Sequence, residues 1–240
     1  MSEIQTRIAM KEASFYVALD SMKGVVSMQS FANSEGSRMV HNMIKVIQSN
    51  KQYLSDIDGA IGDGDHGINM NKGFTMCEKE LEKTPGDLTH SLKVLSKVLM
   101  TDIGGSMGPL YGMFFRAMAK VTESKTIIDR EVLGEMLIAA EEGVRNIGNA
   151  EVGDKTLLDS LVPAVEAYRQ AEANGKSFSE CAEEMKSAAI KGRDSTKDMI
   201  ARVGRASRLG ERSRGTIDAG AASCCMILIT IADFVIELSC

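Results

Sequence analysis

Apolar residues three and four positions apart run through almost the whole chain, and a sheet cannot be built on that period. Phe15, Leu19, Met22 and Val26 form one such set, Val40, Met43, Ile44 and Ile47 a second, and Met70, Phe74, Cys77 and Leu81 a third. The pattern continues in Leu88, Leu92, Leu95 and Leu99, in Leu110, Phe114, Ala117 and Val121, and in Leu133, Met136, Leu137, Ala140 and Val144. Each set marks one face of an amphipathic helix, and strand-like alternation is hardly seen anywhere. Composition points the same way, because aromatics make up 5%, Trp is absent, and 16 Met stand against 3 Pro. That balance favours helices over β-rich folds. The expected fold class is all-α.

Nine helical segments are expected, near 3–30, 35–53, 67–84, 88–103, 107–122, 130–147, 155–174, 178–203 and 219–238. Pro85-Gly86, Gly104-Gly105, Gly148 and Asn174-Gly175 fall where the apolar period lapses, as helix stops should. Ser177 with Glu180 reads as a capping box. No linker or composition shift divides the chain, and 44% hydrophobic residues in 240 suffice for one sizeable core. The last segment, AGAASCCMILITIADFVIEL, is apolar on nearly all sides and is expected at the centre of a bundle. Met39, Met43, Met70, Met113, Met118 and Met136 read as core filling.

Lys plus Arg total 28 against 33 Asp plus Glu, a net charge of −5, which argues against nucleic acid as a partner. Five cysteines, odd in number and without C-x-x-C spacing, suggest neither a disulfide framework nor a zinc site and fit a reducing cytoplasm. No secretory signal is expected at the N-terminus. The most apolar stretch, 219–232, falls short of the roughly 20 residues that span a bilayer, so no membrane is expected.

Two connections differ from ordinary helix links. In the first, Ser55 to Gly67, Asp58, Asp63 and Asp65 lie within eight residues. Crowding three carboxylates requires protons or a cation, and a hard divalent ion such as Mg²⁺, held by carboxylates and substrate phosphates, suits the cluster. A solvated acidic turn capping the next helix is the plainer alternative. Gly62-x-Gly64-x-x-Gly67 matches the dinucleotide fingerprint literally, but a helix precedes it and Asp63 and Asp65 would face the pyrophosphate. An EF-hand fails because the Glu at position twelve is missing in either register. Gly175-Lys176-Ser177 is no P-loop, since Gln170 stands where its first Gly belongs. His66 could contact a phosphate or cap a helix.

The second connection, Gly204 to Gly220, holds Arg205, Arg208, Arg212 and Arg214 against Glu211 between residues 204 and 215, or 4 − 1 = +3. Arginine forks suit phosphate oxygens and the charge that develops in phosphoryl transfer, although a solvated loop accounts for any one of them. Residues 103–109 read as a loop feeding a helix N-terminus that could receive an anion. In Gly153-Asp154-Lys155-Thr156, Asp154 or Thr156 reads as a helix cap.

Four stretches, DGAIGDGDHGINMNKGF (58–74), GGSMGPLYGMFF (104–115), GNAEVGDKTLLDSLVPAVEA (148–167) and GRASRLGERSRGTIDAGAAS (204–223), occur in the order found in DhaL-type domains. Over residues 32–240 the chain resembles this family of ADP-binding L subunits of bacterial dihydroxyacetone kinase. The resemblance implies an eight-helix antiparallel barrel with nucleotide and metal at one end. Residues 1–31 would be an added helix, packed on the bundle or used for partner or self-association, including a homodimer.

Within that family Asp58, Asp63 and Asp65 would bind two Mg²⁺ ions. His66, Gly67, Ile68 and Asn69 would meet the phosphates, while Ser106, Met107, Gly148, Leu157, Arg205, Asp218, Ala219 and Gly220 would surround ADP. Arg205 and His66 are the candidate catalytic residues. The resemblance further implies a cytoplasmic kinase subunit of glycerol metabolism that holds ADP/ATP tightly. It would be recharged by a phosphocarrier of the phosphoenolpyruvate-dependent phosphotransferase system, and would phosphorylate dihydroxyacetone or a similar ketose on a separate K-type subunit. An ATP-exchanging kinase of erythrulose or another short ketose, or a nucleotide-loaded regulatory module, are the alternatives. Met107 stands where the family usually has Ser, and Ala219 where Pro is common.

Overall fold

A computed structural model describes residues 30–238. The helix expected over 3–30, and with it most of the 1–31 extension, lies outside the described residues. Ser30 opens a short strand, β1 (Ser30–Ala32), paired antiparallel with β2 (Ile127–Asp129). This pair escapes an alternation test because each strand has only three residues. Nine α-helices follow among the described residues: α1 (Ser37–Ser49), α2 (Lys51–Ile61), α3 (His66–Lys83), α4 (Leu88–Asp102), α5 (Met107–Thr122), α6 (Arg130–Arg145), α7 (Leu158–Ala173), α8 (Phe178–Ser195) and α9 (Ala219–Leu238).

Eight of them close a ring. Helix α1 packs on α3, each helix from α3 to α9 packs on the next, and α9 returns to α1. Helix α2 stands outside this ring, against α3 and α9. The inward stripes form one continuous core that includes Met39, Met43, Met70, Met118 and Met136 at 0% exposure, with Met113 only half-buried. Short connections turn successive helices antiparallel. The strands therefore mark one end of the barrel, next to the starts of α1, α4, α6 and α8 and the end of α5. Phe31 seals that end, stacked on Phe178 with ring centroids 6.4 Å apart and set edge-on to Phe234 at 5.1 Å. Buried Asn33 ties it further, donating to Thr89 Oγ1 at 2.9 Å and to the Lys125 carbonyl at 2.7 Å.

Four expectations need correction. The single helix expected over 35–53 breaks at Asn50, whose amide side chain donates back to the Val46 carbonyl at 2.8 Å and caps α1. Helix α2 then runs on to Ile61, so Asp58 lies in its last turn and the acidic loop shrinks to residues 62–65. Helix α8 stops at Ser195, well short of 203, where Ser195 and Thr196 hydroxyls donate to the Gly192 and Arg193 carbonyls at 2.7 and 2.6 Å. Such back-bonding competes with the helical ladder. Finally, α9 is not axial. It is one stave of the ring, with Met226, Ile229, Thr230 and Asp233 half-buried on its outer side. By length and composition α9 could cross a membrane, but 67% of that window is buried in the barrel. The Ser177–Glu180 capping box forms as expected.

Gly67 lets α3 lie directly on α2. A methyl group there would overlap the Lys51 carbonyl oxygen and sit 2.5 Å from Ser55 Oγ. Backbone cannot yield as a flexible side chain does. Gly67→Ala is therefore expected to cost about 1–3 kcal/mol, the usual range for overpacking, read as a lower urea midpoint with unchanged helical circular dichroism.

Candidate functional site

The end of the barrel opposite the strands opens into a cavity of about 430 Å³. Four helices begin on its wall, and their first residues, His66 of α3, Met107 of α5, Leu158 of α7 and Ala219 of α9, all line it. This follows from the antiparallel ring, which brings every second helix start to one end. The positive ends of four helix dipoles thus converge on one space, an arrangement that favours an anion with several charged oxygens, although the His66, Leu158 and Ala221 N–H groups are already held by Asp58, Thr156 and Asp218.

At the mouth stands the acidic cluster. Asp58 comes from the last turn of α2, and Gly64, at φ 76°, turns the chain so that Asp63 and Asp65 swing back beside it. Carboxylate oxygens of the three lie within 4.8 Å of one another. The Arg205 guanidinium crosses the mouth from the opposite loop and forms ion pairs with Asp63 and with Asp65, the latter at 3.2 Å. Of the basic loop's arginines only Arg205 lines the cavity; Arg208 and Arg212 are exposed, and Arg214 donates to the Asp198 carbonyl. The expected +3 therefore narrows to one cation facing the carboxylates.

His66 lies deeper. Its N–H donates to Asp58 Oδ2 at 3.2 Å, and Nε2 lies 2.9 Å from Ser223 Oγ, which in turn lies 2.6 Å from the Tyr111 hydroxyl. Burial pushes the imidazole down to about 4, against the opposite pull of Asp58. The ring is therefore neutral at pH 7 and acts through hydrogen bonds instead of charge.

Asp218 caps α9 by accepting the Ala221 N–H at 2.8 Å. Burial lifts its carboxyl to about 7, with Asp159 adding to the rise while the Ala221 N–H and Lys155 oppose it. Between pH 4 and 7 the folded state thus holds a proton that the unfolded chain has lost, so this group's contribution to stability falls as pH rises. Asparagine keeps the cap and carries no charge. The melting-temperature gain of Asp218→Asn over the parent is accordingly expected to grow from pH 5 to pH 8; a constant difference would refute the raised value.

The cavity brings together His66, Asn69, Ser106, Met107, Gly148, Leu157, Arg205, Asp218, Ala219 and Gly220, with Asp58, Asp63 and Asp65 at its mouth. Gly67 and Ile68 do not line it: Gly67 is pressed onto α2, and Ile68 is 53% exposed outside. Asp154 accepts the Glu151 N–H at 2.8 Å and Thr156 Oγ1 accepts the Leu158 N–H at 3.2 Å, so of the two expected caps Thr156 is the one that reaches the start of α7. Asp159, 1% exposed, accepts the N–H groups of Gly153 and Thr156 at 2.5 and 2.6 Å. Its spacing from Thr156, T-x-x-D, is a capping signal that could have revealed it. Lys155 also lines the cavity and carries no motif of its own. Tyr111 and Ser223 were hidden for another reason, being single polar residues within apolar helix faces.

Fold and site together define an all-helical barrel with a carboxylate-and-arginine cleft at one end. A family profile described as the DAK2 domain matches residues 60–233, and the chain belongs to that family. It is 40% identical over 191 residues to "PEP-dependent dihydroxyacetone kinase 1, ADP-binding subunit DhaL" of Listeria innocua, covering 79% of this chain and 90% of that protein. The corresponding Escherichia coli subunit is 39% identical, covering 78% and 90%. An L-erythrulose kinase of Pectobacterium atrosepticum is 32% identical over 78% of this chain and 32% of its own length. In structure the chain resembles the dihydroxyacetone kinase of C. freundii in complex with AMP-PNP and Mg²⁺, with TM-score 0.62 and 22% identity. That match covers 88% of this chain and spans 36% of the other.

Proposed function

We propose that this chain is the nucleotide-carrying subunit of a dihydroxyacetone kinase. It holds ADP/ATP with Mg²⁺ and passes a phosphoryl group to dihydroxyacetone, or a similar short ketose, on a K-type partner subunit. A phosphoenolpyruvate-dependent phosphocarrier recharges the nucleotide, and the assembly works in the cytoplasm. The convergence of four helix N-termini behind three clustered carboxylates and Arg205 carries this reading. Higher identity to the DhaL subunits than to the erythrulose kinase supports the same choice of acceptor.

The donor set fits the proposed cofactor, since three carboxylates within 4.8 Å offer the hard oxygen ligands that Mg²⁺ takes. Asp58, Asp63 and Asp65 would hold two such ions, which screen phosphate charge during transfer. The remaining work is done by the chain. Backbone N–H groups at the starts of α3 and α5 grip phosphate oxygens, and the Arg205 fork stabilises the charge that develops on the transferred group. Neutral His66, oriented by Ser223, hydrogen-bonds a phosphate oxygen without repelling the neighbouring metal site. Leu157, Gly148 and Met107 enclose the nucleoside side of the cavity. Met107 offers no hydroxyl at the start of α5, so that helix contributes through its backbone.

Heat denaturation of the purified chain is expected to release one ADP or ATP per molecule. The chain should also turn over dihydroxyacetone when K-type and phosphocarrier partners are supplied with phosphoenolpyruvate. No released nucleotide and no Mg·ADP binding would overturn the proposal; turnover with ATP alone would replace the carrier by direct exchange.

A further inference from the structure

The geometry points to Lys155 as a positioning residue that clamps the arginine loop, so that Arg205 is held at the carboxylates by the same turn that walls the nucleotide cavity. Its side chain is 2% exposed and its three protons are aimed at three backbone carbonyls: Met199 at 3.3 Å, Ser213 at 2.7 Å and Thr216 at 2.6 Å. Met199 precedes Arg205, whereas Ser213 and Thr216 follow it. One ammonium therefore closes the base of the loop that carries Arg205. An independent bond joins the same two segments, from the Arg202 N–H to the Asp154 carbonyl at 3.1 Å.

The backbone at Lys155 is itself unusual. Among the described residues it is the one non-glycine position with positive φ, 63°. A left-handed conformation costs a lysine energy that a glycine would not spend, and such outliers persist where the surroundings impose them. Here Asp159 imposes it, gripping the N–H groups on either side of the strained residue, at Gly153 and Thr156. The chain of support runs from Asp159 to the turn, from the turn to the Lys155 ammonium, and from there to the loop. Gly204 at φ 71° and Gly210 at φ 54° flank the loop's tip. Neither glycine has a side chain to anchor the tip, so its placement draws on the bonds at its base, where the Lys155 clamp acts beside the Ala201 N–H to Ser213 Oγ and Gly215 N–H to Lys197 carbonyl bonds.

This inference rests on the proposed role of Arg205, and two arms separate its failure from the failure of that role. Lys155→Gly relieves the backbone while removing the ammonium, and Lys155→Met keeps the side-chain bulk. In both, amide exchange at Ala201 and Gly215 is expected to accelerate at least about tenfold, with core amides such as Leu137 unchanged. This arm needs no activity. In the second arm, phosphoryl transfer is measured in a double-mutant cycle with Arg205→Ala. Lys155→Gly is expected to lower kcat at least about tenfold with less than about threefold change in Kd for Mg·ADP, and to have less than about a twofold effect in the Arg205→Ala background. Multiplicative losses would show that Lys155 acts independently of Arg205 and would overturn the proposal, as would unaltered exchange in Lys155→Gly. Should Arg205→Ala itself leave transfer intact, the role of Arg205 falls, and the exchange arm alone then decides whether Lys155 holds the loop.

Discussion

Asp63→Ala is expected to abolish metal-dependent nucleotide retention, weakening Mg·ADP by more than the 10–100-fold typical of losing a residue that merely orients a ligand. Asp63 is one of three carboxylates whose oxygens lie within 4.8 Å, and it is exposed. Its loss removes a candidate metal ligand outright and half of the acidic face that Arg205 spans. Folding should not suffer, because an exposed ion pair contributes little and repulsion within the cluster is relieved. A melting temperature in EDTA equal to or above that of the parent would separate ligand loss from unfolding. Asp63→Asn should fail equally, since an amide keeps the shape and loses the charge. Undiminished Mg·ADP affinity in isothermal titration would remove Asp63 from the metal site.

This site was legible from sequence to the extent that its chemistry is local. Asp58, Asp63, Asp65 and His66 sit within nine residues, so crowding and charge betray them before any fold is known. Helical spacing likewise exposes the barrel's staves, because each buries one stripe. What the spacing cannot supply is closure. The apolar run of α9 reads equally as an axial helix or as a stave pressed between neighbours, and only packing against both α8 and α1 decides. The break at Asn50 was obscured because neither Gly nor Pro marks it and the apolar period runs on from Ile47 to Leu54. The basic loop was legible as charge but not as geometry, since its composition treats Arg205, Arg208 and Arg212 alike. Ser223 lies 157 residues from His66. Lys155 is 58 residues from Ser213. No local pattern links partners so far apart, and Asp159 and Lys155 take their meaning from that distant loop.

Arg205→Ala should separate catalysis from binding. The four helix N-termini remain, so nucleotide affinity is expected to change less than about tenfold, whereas kcat falls by roughly 10²–10³, the scale of losing one preorganised charge-stabilising donor. Arginines that act on a transferring phosphoryl group reach roughly 10³–10⁵, which sets the upper bound. A second consequence has the opposite sign. Because the guanidinium pairs with Asp63 and Asp65, it competes with any cation for the same oxygens. Removing it should tighten Mg²⁺ binding to the nucleotide-free protein, by at most about fivefold given the small energy of an exposed pair. A single Arg205 nitrogen, Nη1, meets both carboxylates, so Arg205→Lys is expected to keep the charge balance there but to recover little turnover, because one ammonium cannot grip two phosphate oxygens as the planar fork does. Slower transfer together with tighter metal binding is a combination that general unfolding cannot produce. Unchanged kcat with tighter Mg²⁺ would assign Arg205 to charge balance at the carboxylates alone, leaving transition-state stabilisation to the helix termini and the metal.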